Sequence, residues 1–93
     1  MTAISGQKTV AAAGTEEALG TQDINGPLMV KALDTNGGIV VIGNVGAHVV
    51  STATGMRMAA GDVIILEWVS NLSNIMVDAA VNGEGVAWLA LNV

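Results

Sequence analysis

An all-β fold, a small jelly-roll-like sandwich of about seven to eight short strands, is what this sequence predicts. Three observations lead there. Short β-branched runs alternate with turn residues, 12 glycines fall mostly between those runs, and no stretch combines helical periodicity with proper caps. The one helix-like fragment, GTEEALG, is too short to stand alone.

In chain order, 1–6 (MTAISG) is small and polar and reads as a flexible N-terminal arm, leaving 7–93 as a single sandwich domain. KTVAAAG (8–14) and TEEALG (15–20) are weak strand candidates joined near Gly14. TQDINGP (21–27) reads as a loop, because Asn25-Gly26-Pro27 interrupts regular structure. LMVKALD (28–34) alternates so that Val30 and Ala32 face the core and Lys31 faces outward. Thr35-Asn36-Gly37-Gly38 reads as a hairpin turn into IVVIG (39–43), a run apolar enough to be covered on both faces. Residues 44–58 suit a loop with one irregular edge strand. A turn at Ala59-Ala60-Gly61-Asp62 precedes DVIILEWV (62–69), the clearest strand. SNLSN (70–74) turns into IMVDAAV (75–81), and VAWLALNV (86–93) ends the chain. The closing stretch is too interrupted for a membrane helix, with Asp78, Glu84 and the turn cluster Asn82-Gly83-Glu84-Gly85, and reads as a β-hairpin.

Composition narrows function. Hydrophobic residues make up 52% and charged ones 12%, more apolar side chain than a thin core can hold. The surplus points to an interface with other chains, and a homo-oligomer, a trimer by preference, is expected. A net charge of −5 with three basic residues argues against nucleic acid. No cysteine and one histidine leave no thiolate or His-rich metal site. The start shows no secretory pattern, so none is expected, and no membrane partner either.

Catalytic constellations are not found. Glu16 and Glu17 would point to opposite faces of a strand and read as a solvated pair. Asp34-Thr35-Asn36-Gly37 opens like a calcium loop but lacks the later acidic ligand. His48 sits among aliphatic residues and reads as a structural or interface histidine. Trp68 and Trp88 suit a core or an interface better than a sugar platform, and Met56 and Met58 suit a plastic packing surface. Interface candidates are therefore Met56, Met58, His48, Trp68 and Trp88. No catalytic residue, cofactor or metal is expected.

The succession TVAAAGTEEALG, VKALDTNGGIVVIGN, GMRMAAGDVIILEW and LSNIMVDAAVNGEGVAWLALNV resembles the small β-sandwich virion proteins of tailed bacteriophages. The likeness spans nearly the whole chain and is most specific in the closing third. It records turns and packing rather than chemistry. The resemblance implies a non-enzymatic capsid decoration (cement) protein on the outer surface of the virion, made in the host cytoplasm, with the major capsid protein as partner. A head-fibre or tail accessory protein is the nearest alternative, and a carbohydrate-binding sandwich module a more distant one. Where the family carries tyrosine before Gly43 and near the chain end, this sequence is aliphatic, which suits burial against other chains.

Overall fold

The computed structural model describes residues 3–46, 50–51 and 53–91. Eight strands follow in order: β1 (Ile4–Thr9), β2 (Glu17–Ala18), β3 (Asp23–Ala32), β4 (Val40–Asn44), β5 (Met56–Met58), β6 (Val63–Asn71), β7 (Ile75–Ala79) and β8 (Gly85–Ala90). A 3₁₀ turn, Leu72–Asn74, separates β6 from β7. The strands form two four-stranded sheets, ordered β1-β8-β3-β6 (sheet A) and β2-β7-β4-β5 (sheet B), with every pairing antiparallel. The first half of the chain pairs with the second half in reverse, β1 with β8, β2 with β7, β3 with β6 and β4 with β5. Winding that long ribbon across two layers is the jelly roll. The smallest extent of the molecule, 19 Å, suits two sheets stacked about 10 Å apart with their outer side chains.

Alternation builds the core. Leu28, Val30 and Ala32 point inward from β3 and are fully buried, while Met29 and Lys31 point outward. Val40, Ile42, Val77 and Ala79 answer them from sheet B, with Val86 and Ala90 from β8. Each valine, leucine or isoleucine among them contributes roughly 1.5–3 kcal/mol through burial, and each alanine methyl about 0.8 kcal/mol. IVVIG is covered on both faces, as its composition suggests: Val40, Val41 and Ile42 are all buried.

Four expectations need correction. Ile4–Gly6, assigned to a flexible arm, begin β1 and pair with Trp88–Ala90, because a glycine there lets the chain pass under a tryptophan; a Cβ on Gly6 would lie 2.9 Å from Trp88 Cζ2. Residues 23–27, assigned to a loop, belong to β3. Register shifts on either side of Gly26 absorb Asn25-Gly26-Pro27 as bulges, where an interrupted ladder tolerates a proline. The turn at 35–38 is not a hairpin, since β3 and β4 lie in different sheets. The closing segment is not a hairpin either: β7 lies in sheet B and β8 in sheet A.

Those last two connections are crossovers that lock together. Glu84 accepts hydrogen bonds from Gly37 N–H and, at 2.9 Å, from Gly38 N–H. Asn36 donates through Nδ2 to the Gly85 carbonyl at 2.9 Å and accepts from Gly85 N–H at 3.3 Å. One end of the sandwich is thereby fixed by two turns that read, in sequence, as unrelated reversals.

Candidate interaction surface

The two sheets treat their outer faces differently. On sheet B, Val41 and Asp78 stand opposite each other and point away from the core, yet both are fully buried. Loop 11–16, Val50 and Gly55 cover them. Gly43 and Gly55 permit the approach: a Cβ on Gly43 would lie 2.7 Å from Val50 Cγ2, and one on Gly55 2.6 Å from Val41 Cβ. Carboxylates pin this cover. Glu16 accepts from Val50 N–H at 2.8 Å, and Asp78 Oδ1 accepts from Gly14 N–H at 3.0 Å and from Ala79 N–H at 2.8 Å. Asp78 Oδ2 is buried without a hydrogen-bond partner among the described residues. Glu17 accepts from Ala11 N–H at 2.9 Å and pairs with Lys8 at 3.0 Å. The Ala11 N–H, and after it Lys8, holds the Glu17 carboxyl below the ordinary glutamate range. Glu16 and Glu17 are thus not a solvated pair; each organises backbone.

Sheet A has no such cover among the described residues. Its registers align Ser5, Leu89, Met29 and Ile65 in one outward row across four strands, with Gln7, Ala87, Lys31 and Val63 in the next. Ile65 is 60% exposed, Val63 52% and Met29 40%. The bulge opposite Pro27 makes Glu67 and Trp68 consecutive exposed residues and leaves Trp68 65% exposed. Isolated exposed aliphatics are ordinary, whereas large contiguous apolar patches are where soluble proteins commonly meet partners. A shallow groove on this face, lined by Met29, Lys31, Ala87, Trp88 and Leu89, has a volume of about 190 Å³. A second apolar cleft of about 240 Å³ opens between the sheets at the β5–β6 edge, where Met56 meets Ile64, Leu66 and Ile75. Both fall below the roughly 300–1,000 Å³ of small-molecule pockets, so a broad macromolecular contact fits the face better.

The sequence-derived candidates separate. Trp68 lies on the sheet A face and Met56 at the mouth of the cleft, both exposed. Met58 is buried in the protein's own core and is not offered to a partner, because Met56 and Met58 share the inward side of β5 and only the outer one reaches solvent. Trp88 is half-buried against the core, its ring over Gly6. His48 lies outside the described residues. No group of three or more metal-ligating side chains occurs among the described residues. Sequence reasoning missed Ile65, Met29 and Leu89. Their signal was present: LMV, IILEW and WLAL are apolar in both strand phases, so each must show one apolar side outward.

Comparison with protein families, with curated proteins and with solved structures finds no match.

Proposed function

We propose that this protein is a capsid decoration (cement) protein of a tailed bacteriophage and that it attaches to the shell through the outer face of sheet A. The observation that carries this reading is the asymmetry of the sandwich. Sheet B is roofed by its own loops, while the Ile65–Met29–Leu89 row and Trp68 on sheet A are left for another surface. The resemblance of the chain to small virion sandwiches supplies the kind of surface. Mechanism is then mass action: a protein that binds only the assembled shell stabilises it over its separated subunits. Many copies on one shell make weak individual contacts sufficient, the more so when copies are linked.

Few ion pairs are available to such a contact, since the outward rows of sheet A carry Lys31, already engaged with Asp34, and beyond them Glu67. Salt screens exposed pairs beyond about 10 Å at 0.1 M and leaves apolar contacts in place. Binding to shells assembled from the capsid protein of the same genome is therefore expected to persist in 1 M salt (about 3 Å of screening length). Met29→Asp is expected to weaken it by about 10- to 100-fold, since burying one such side chain is worth roughly 1.5–3 kcal/mol. Co-sedimentation with the shells reads both. Release by moderate salt, or unchanged binding of the variant, would count against the reading, and binding to tail structures alone would move the protein to the tail.

A second reading rests on the exposed indole of Trp68, which is the kind of aromatic platform a carbohydrate-binding module uses. Trp68→Ala would then abolish glycan binding, whereas under the decoration reading it weakens binding to the shell.

A further inference from the structure

We infer that β6 pairs with β6 of a second copy, joining two sheets A into one eight-stranded sheet about a two-fold axis. This rests on edge geometry and stands apart from the virion reading.

The edges of the sandwich are unequally protected. β2 and β5, the edges of sheet B, are two and three residues long, and a short edge is a poor template for pairing. β1, one edge of sheet A, carries Lys8 and Gly6. β6, the other, is nine residues long and reads VIILEWVSN, with Glu67 its only charge. Natural edges of that length are normally broken by lysine or proline.

Its free hydrogen-bonding groups can be assigned. Ala32 N–H donates to the Asp62 carbonyl and Leu33 N–H to the Gly85 carbonyl, so even-numbered residues of β3 face β6 and odd-numbered ones face β8. Ile64 and Leu66 therefore spend their backbone groups on β3. The N–H and C=O groups of Val63 and Ile65 point away from the sheet, up to the bulge at Glu67–Trp68.

Charge selects the register. Centring an antiparallel pair on Ile65 sets Ile65 against the partner's Ile65 and Val63 against the partner's Glu67. The central Ile65 pair exchanges both hydrogen bonds. Glu67 of one copy then lies beside Val63 and Lys31 of the other, so that Lys31, 3.4 Å from Asp34 of its own chain, can share its charge with the partner's carboxylate. Centring on Glu67 would oppose two carboxylates, and centring further toward Val63 would shorten the ladder. On the outer face the apolar row doubles into Leu89-Met29-Ile65 followed by its two-fold image. Below it, Ile64 meets the partner's Leu66 at the clefts bordered by Met56. The composition alone favours a closed trimer, whereas this edge specifies two copies.

The chain has no cysteine, so single substitutions report the register cleanly. Opposed residues of a hydrogen-bonded pair have Cα atoms about 5.5 Å apart, within disulfide range. Ile65→Cys is expected to oxidise to a disulfide-linked dimer. Val63→Cys alone should remain monomeric on the same gel, and a mixture of Val63→Cys with Glu67→Cys should cross-link. Sedimentation of the unsubstituted protein at micromolar concentration should give twice the chain mass. A monomer or trimer at all concentrations, or equal cross-linking of Ile65→Cys and Val63→Cys, would overturn the inference.

Discussion

Ending the chain at Asn82 is expected to abolish cooperative unfolding altogether. The segment lost contains β8, which lies between β1 and β3 in sheet A and pairs with both. Its removal strands β1 and takes Val86 and Ala90 out of the core together with the packing of Trp88. A 93-residue domain has on the order of 5–15 kcal/mol of total stability, and the three side chains alone carry several kcal/mol of burial. The remaining sheet B cannot compensate, because one of its edge strands is two residues long. Urea titration followed by far-UV circular dichroism checks this: the truncated chain should show a shallow drift, and a sigmoidal transition would mean that β8 is peripheral.

Gly85→Ala is expected to be nearly as damaging for the addition of one methyl group. A Cβ at this position would lie 2.0 Å from the Lys8 carbonyl oxygen and 2.7 Å from Thr9 Cα, both backbone atoms of β1 that cannot swing aside. Gly85 also exchanges hydrogen bonds with Asn36 and accepts from Leu33 N–H at 3.1 Å, so a shift of its backbone would loosen the crossover lock as well. A loss of about 3 kcal/mol or more is expected, at the upper end of overpacking effects. In a domain of this size that lowers the melting temperature by roughly 12–24 °C. Gly83→Ala provides the contrast. Gly83 has φ of 83° but open space around its Cβ position, so only left-handed strain of about 1–2 kcal/mol applies. Equal melting temperatures for the two variants would refute the close approach of β8 to β1.

How much of this was legible in the sequence follows from what each signal encodes. Alternation over Leu28–Ala32 places Val30 and Ala32 inward because side-chain direction depends only on position along the strand. IVVIG reads as doubly covered because no polar residue is available for a solvent side. Turn residues encode less. Asn36-Gly37 and Asn82-Gly83 signal that the chain reverses, but the same reversal serves a hairpin and a crossover. The long-range bonds that decide between them, Glu84 to Gly37 and Gly38, join residues 46 and 47 positions apart. The bulge that exposes Trp68 depends on Pro27 and Gly26 of another strand, so Trp68 taken alone looked like a core or interface residue. The exposed apolar row was half visible: strands apolar in both phases imply an outward apolar side, but only the registers of β1, β8, β3 and β6 align those sides into one row.

The central claim is that the outer face of sheet A is the face the protein turns toward its partner. A density map of shells carrying the protein, at a resolution that separates the two sheets, tests it most directly. The expected result places Ile65, Met29 and Leu89 against the shell, with the loop-roofed face of sheet B toward solvent. A map in which sheet B meets the shell and the Ile65–Met29–Leu89 row faces solvent would contradict it.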